Sequence, residues 1–250
     1  MEFLVAKLLG LLLVLTRVSA FFVSMPLFEW PAIPAAVKVA MAMLLTIFFA
    51  MVMPLGFNPG DMSLLQAGLL ICYEAIYGFA LGLATTMLFS TVKLAGTIIE
   101  QEMGLSMAEV LDPLTGEPGQ AISTFLEMVF ILLLLSANFH HWLLAALGSS
   151  FECFPIGSIP DITMLVTGVI QAGSDMLLYG FKLAAPMLAA SMVLMIVLAI
   201  ASKIMPEMDI LFISLPIKIA LGLVILALLL PYFNSYVYEF MRMMKNILPL

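Results

Sequence analysis

Charge is what this sequence has least of. Of its 250 residues only 10% are Asp, Glu, Lys or Arg, whereas about a quarter is usual for soluble domains, and 64% are hydrophobic. The mean hydropathy of +1.20 excludes an ordinary water-soluble globule. Lys and Arg together number 9 in a chain of net charge -7, and no basic tract exists, which sets nucleic acid aside as a partner. There are 2 cysteines, Cys72 and Cys153, with no CxxC pair and no histidine at ligand spacing. Neither a zinc site nor a redox pair is indicated, and both thiols read as buried packing residues. Phosphate-binding glycine loops of the Walker or GxGxxG kind are missing, as is a Gly-x-Ser-x-Gly elbow around Ser149 and Ser150. No enzyme and no cofactor is expected.

What is present is a series of long uncharged runs, at 39–60, 75–92, 128–151, 183–202 and 219–238. About 18 to 20 apolar residues suffice to cross a bilayer as helix. With the stretch 3–27 the chain is expected to be an all-α membrane protein with about six hydrophobic helices, forming one membrane domain over 1–250. The first helix holds Lys7 and Arg17 and ends in no clean small-residue motif, so it reads as part of the mature chain. Pro26, Pro31 and Pro34 break the chain before a second helix at 36–52, and Trp30 suits a membrane interface. Pro54 to Gly60 end that helix, and Asp61 or Ser63 can cap a third that runs toward Val92, carrying Gly78 and Gly82 at a spacing that permits close helix approach. A fourth is expected at 122–147. Asp161 caps a segment that should break at Gly173, Ser174 and Asp175 before a fifth helix at 176–201. The sixth spans 210–230, where Pro231 stops or kinks it, and Arg242 and Lys245 close an amphipathic tail. Lys38, Lys93 and Lys203 fall on one side of such an arrangement and Lys7, Arg242 and Lys245 on the other, leaving orientation open.

The segment 100–120 stands apart. It gathers Glu100, Glu102, Glu109, Asp112 and Glu117 and is broken by Gly104, Pro113, Gly116, Pro118 and Gly119. A plain solvated connection is one reading; a loop that lines a passage or docks a partner is the other. Met103, Leu105 and Met107 favour the second, because large apolar side chains are a poor choice for a loop that merely faces water. If the third helix continues past Lys93, steps of about 100° place Lys93, Gly96, Glu100, Gly104 and Met107 on one face. Among 21 methionines, Met103 and Met107 are singled out by lying in this loop.

Arg17, Glu74, Glu127, Lys182 and Lys218 sit inside apolar segments, where a charge costs several kcal/mol unless it is paired or wetted. They are read as buried charges that serve packing and assembly, with a proton or ion relay as the sharper alternative. Asn138, His140 and His141 lie near the end of the fourth helix. Adjacent helical histidines point about 100° apart, so they anchor a helix end rather than chelate a metal, and no metal site is expected.

Four ordered motifs resemble a known family. They comprise Arg17-Val18 through Met25-Pro26 with Ile33-Pro34 and Val37 to Ala40; Ala95-Gly96 through Ile99 with Met103-Gly104-Leu105-Ser106 and Asp112-Pro113; Asn138, His140 and Trp142 with Ser150-Phe151 and Phe154 to Gly157; and Pro206, Phe212, Leu215-Pro216 and Ala220-Leu221-Gly222. Together they resemble the FliR subunit family of the flagellar type III export gate, related to the equivalent subunit of virulence injectisomes. Phe139 stands where that family usually has glycine, and Glu207 where glutamine often follows the proline. The resemblance implies bent helical hairpins within a hetero-oligomeric channel in the bacterial inner membrane, in the flagellar basal body. FliP-like and FliQ-like subunits would be its partners, a FlhB-like protein its neighbour and unfolded flagellar proteins its cargo. It further implies that Met103, Gly104, Leu105, Ser106, Met107, Asp112 and Pro113 contribute to a plug that seals the idle channel. The equivalent injectisome subunit and a secondary transporter are the alternatives. A transporter would require a functional set among the five intramembrane charges, and usually an internal repeat, of which the sequence shows no convincing sign.

Overall fold

The computed structural model describes residues 2–25, 34–52, 64–105, 120–205 and 210–247. Among them every regular element is helical, as hydrocarbon demands: a helix satisfies its own backbone, and lipid offers no substitute for water. The helices are α1 Glu2–Ser24, α2 Ala35–Val52, α3 Leu64–Met103, α4 Ala121–Ser136, α5 Phe139–Cys153, α6 Ile162–Ile204, α7 Ile210–Leu229 and α8 Phe233–Ile247. Of the described helical stretches, five are long and apolar enough to span a membrane, or up to six if the interrupted pair α4 and α5 counts as one. The chain is an all-α membrane protein.

The boundaries depart from the sequence expectation in informative places. A single helix at 122–147 is not formed: the chain breaks at Asn138, which adopts left-handed geometry with φ 58°. Asparagine tolerates that region because its short polar side chain offsets part of the steric cost. Conversely, the break expected at Gly173 to Asp175 does not occur, and α6 runs unbroken for 43 residues. A glycine inside a helix costs only about 1 kcal/mol relative to alanine, and Gly173 lies against Met87, where an added Cβ would stand 3.4 Å from Sδ. Asp161 does cap α6, accepting the Met164 N–H at 3.2 Å. Pro231 ends α7 by placing Leu230–Tyr232 in a tighter 3-10 turn before α8. The third helix continues past Lys93 to Met103. Both cysteines, expected to be buried, are exposed, since a small apolar thiol is as comfortable facing hydrocarbon as facing protein.

Two compact units divide the chain. The first comprises Met1–Leu88, Asn138–Ser174 and Met241–Leu250; the second comprises Phe89–Ala137 and Asp175–Phe240. In the first, α1 packs on α2 and on the first part of α3. The approach of α1 to α3 depends on Gly78 and Gly82, because a Cβ at Gly78 would overlap the Arg17 carbonyl and one at Gly82 would overlap Ser24. Thr86 strengthens the contact by donating its hydroxyl to the Ser24 carbonyl. Buried hydroxyls elsewhere return to their own helix, Thr46 to the Ala42 carbonyl at 2.7 Å and Thr85 to the Leu81 carbonyl at 2.9 Å. In the second unit Phe89, Phe130 and Phe240 meet edge to face with centroids 5.0–6.0 Å apart, and Tyr236 lies 6.0 Å from Phe130. Aromatic rings favour such edge-on contacts because the positive edge of one meets the negative face of another.

Candidate functional site

Two constructions stand out, one in each unit. In the first unit Arg17, wholly buried in α1, donates Nε–H to Glu74 Oε2 of α3 at 2.6 Å. Its Nη1 donates to the Ser150 and Phe154 carbonyls and its Nη2 to the Phe154 carbonyl, all at 3.0 Å. These are carbonyls at the C-terminal end of α5, where helix geometry leaves acceptors without internal donors and concentrates negative potential. The Tyr77 and Phe151 rings lie 4.8 and 4.3 Å from the guanidinium carbon, within the range of cation–π attraction. Glu74 uses its second oxygen to accept the Gly157 N–H at 3.0 Å, at a turn where Gly157 has φ 82°. A buried ion pair is tolerable when its remaining donors and acceptors are also matched, and here every guanidinium nitrogen and both carboxylate oxygens are engaged. The pair ties α1, α3 and the turn after α5 together.

The second construction is the C-terminal end of α3. Gly104 adopts φ 77°, its N–H donates to the Gln101 carbonyl at 3.0 Å, and the Leu105 N–H reaches back to the Glu100 carbonyl at 3.3 Å. This bond pair is a Schellman motif, and it places glycine at the position where a left-handed residue must follow the helix. Met103, 1% exposed, lies over Gly222 of α7 so closely that a Cβ there would overlap its Cγ and Sδ. One residue on, Gly104 approaches Leu215, also of α7. Earlier on the same helix Gly96 abuts Ser123 of α4. Small residues on three helices thus let the end of α3 sink between α4 and α7, with a thioether as the filler.

Of the residues expected at a plug, Met103 is buried and Gly104 and Leu105 are half-buried; Ser106, Met107, Asp112 and Pro113 lie outside the described residues. Of the expected buried charges, Arg17 and Glu74 are brought together. Glu127 and Lys218 are half-buried, and Lys182 is exposed on the chain by itself, its ammonium 4.6 Å from the Tyr179 ring centroid, which supports a cation without burying it. His140 and His141 are neighbours on α5 with ring centroids 4.1 Å apart, and among the described residues no cluster of three or more metal-ligating side chains forms. Phe139, where glycine is usual, is buried and stacks on Trp142 at 5.6 Å. Sequence reading did not single out Glu100, which is 3% exposed, although the 100° spacing that puts it on the face of Gly96 and Gly104 pointed inward.

The sequence profile of the bacterial export proteins, family 1, matches residues 8–244. Flagellar biosynthetic protein FliR of Pectobacterium carotovorum subsp. carotovorum is 31% identical over 215 residues, covering 86% of this chain and 82% of that protein. The chain belongs to the FliR family. Two further FliR relatives agree: that of Bacillus subtilis strain 168 is 30% identical over 219 residues, with 86% and 83% of the two chains covered, and that of Escherichia coli K12 is 29% identical over 234 residues, with 94% and 89% covered. FliR membership together with the spanning helices makes this a multi-pass membrane component of bacterial protein export. The match embraces both constructions, since Arg17, Glu74, Met103 and Gly222 all fall within the matched residues.

Proposed function

We propose that the chain is one subunit of the flagellar type III export gate in the bacterial inner membrane, needed for flagellum assembly, and that its 103–107 segment helps close the channel when no cargo is passing. It assembles with FliP-like and FliQ-like membrane subunits beside a FlhB-like protein, and unfolded flagellar proteins are the cargo. Its contribution is a shaped passage and a seal rather than a catalytic step.

The observation that carries the seal is Met103 seated on Gly222 at a helix end terminated by Gly104. A passage wide enough for an unfolded chain must exclude ions when idle, and apolar side chains do this by keeping a constriction dry. A methionine suits the task because its unbranched, polarizable chain repacks around varied neighbours. Assembly with partner helices is supported by the apolar side chains left on the outside, such as Leu44, Met51, Val193, Ile196, Phe212 and Leu228. Further support comes from an apolar groove of 730 Å³ within the first unit, floored by Ala20, Ala75 and Ala80 and flanked by Val23, Phe79 and Val166. Small residues on its floor admit a neighbouring helix to close packing.

The test replaces Met103, Leu105 and Met107 together with serine in the assembled complex. Complexes of normal composition that leak small ions and slow growth are expected. Unchanged ion permeability in an assembled triple variant removes the segment from the seal.

A further inference from the structure

Two buried carboxylates in this chain are treated in opposite ways. Glu74 engages both oxygens, one with Arg17 and one with the Gly157 amide. Glu100 is 3% exposed, yet neither of its oxygens has a hydrogen-bond partner among the described residues. A polar group left unmatched in such a place raises the energy of the arrangement that contains it, so an arrangement that matches it is favoured to the same extent.

The neighbouring helices decide which group can match it. The end of α3 meets α4 where Gly96 abuts Ser123, and α7 where Met103 covers Gly222 and Gly104 approaches Leu215. The charged residues of α4 and α7 are Glu127 and Lys218, both half-buried. On α3 itself Glu102 is half-buried and acidic, while Lys93 is exposed about two turns away. α6 meets α3 farther back, where Gly180 abuts Leu94, and its Lys182 is exposed, so among the described residues of these helices Lys218 is the half-buried cation. Its place also fits: Gly104 meets Leu215 while Met103 meets Gly222, so Lys218, between those two contacts, lies level with the Met103–Gly104 helix end, about one turn beyond Glu100 and within the combined reach of two long side chains. Leu215, Lys218 and Gly222 recur at i, i+3 and i+7, one face of α7. No ion pair joins Glu100 to Lys218, and Met103 supplies the reason. A helical side chain leans back over the turn that precedes it, so Met103, seated on Gly222, covers the Glu100 turn on its α7 side.

We propose that Glu100 and Lys218 form an ion pair in a second arrangement of the α3 end, with Met103 lifted from Gly222, and that this pair stabilises the open gate. The closed seat carries an unmatched carboxylate and the open one a matched pair, which makes the helix end a two-state element instead of a fixed wall. The pair itself rests on the seam geometry; its coupling to export rests on the reading of Met103 as part of the seal.

The experiment is a double-mutant cycle in the complete export complex, with Glu100→Gln, Lys218→Gln, the double variant and the exchanged pair Glu100→Lys with Lys218→Glu. Export rate and resting ion leak are the readouts. Each single change is expected to slow export roughly fivefold, the double no further, and the exchange to recover most of the rate, without added leak at rest. Singles that export normally, a double whose loss is the product of the single losses, or an assembled exchange variant no better than the worse single overturns the pair. Where the exchange variant does not assemble, the glutamine cycle, which preserves shape, decides alone. A coupled cycle alongside a leak-free triple serine variant keeps the pair and removes the seal; an uncoupled cycle alongside a leaking one does the reverse.

Discussion

Arg17 shows how one residue can organise a membrane protein without doing chemistry. Its guanidinium meets a carboxylate, two backbone carbonyls and two aromatic faces, so removing it leaves several groups unmatched at once. Arg17→Met or Glu74→Gln is expected to lower the stability of the assembled complex by about 3–5 kcal/mol, the usual loss when one member of a buried pair is removed. Thermal melting of the purified complex checks this, and a Glu74→Gln complex that melts with the parent denies the pair its role. Sequence reading identified Arg17 and Glu74 as charges in need of partners but left pairing and relay both open. Arg17 and Glu74 are 57 positions apart, and the carbonyls of Ser150 and Phe154 carry no sequence signal because every residue has one. Lys182, read as a charge buried at helix contacts or between subunits, is exposed on the chain by itself, on a face left open to a partner.

Helix ends were legible where proline or glycine enforced them and illegible where a permissive residue sufficed. Asp161 and Pro231 acted where expected, whereas Asn138 broke a run with no glycine or proline near it and Gly173 failed to break one. The cause is that a left-handed asparagine and a helical glycine each cost only about 1 kcal/mol, so packing decides. The end of α3 joins both kinds of signal. Gly104 was readable as a breaker, but the notch at Gly222 is visible only once α7 lies beside it. Gly222→Val is expected to push Met103 from its seat and to raise the resting ion leak severalfold, and Met103→Ala in the same chain is expected to restore the seal in part. Conductance of reconstituted complexes reads both. A Gly222→Val complex as tight as the parent shows that the seat does not hold the closure.

At the scale of the whole chain the inside is smaller than the helices require. The spanning windows of α1 and α3 are each 39% buried, while those of α2, α6 and of α7 with the following turn and α8 are 17% buried, so most of their surface awaits lipid or other subunits. Lys182 and the apolar rows of α6 and α7 belong to that outer surface. Produced alone, the chain is expected to aggregate or be degraded, and to become monodisperse only with smaller membrane partners. Size-exclusion chromatography in mild detergent checks this; a stable monomer without partners overturns it. Fold class was readable from hydropathy alone, because composition suffices to tell a membrane helix from a soluble one. Which of those helices are covered was not readable, since lipid and a neighbouring helix call for the same side chains.

The exposed thiols add one consequence of a different kind. Cys72 lies within the spanning window of α3, and Cys153 is the last residue of α5. A thiolate forms readily in water and hardly at all in hydrocarbon, so alkylation by a membrane-impermeant maleimide distinguishes a wetted cysteine from one in the bilayer. The natural chain therefore carries its own pair of depth markers, and adding the reagent from one side of a sealed vesicle at a time also reports topology. Loss of labelling when partner subunits are added marks the surface they cover.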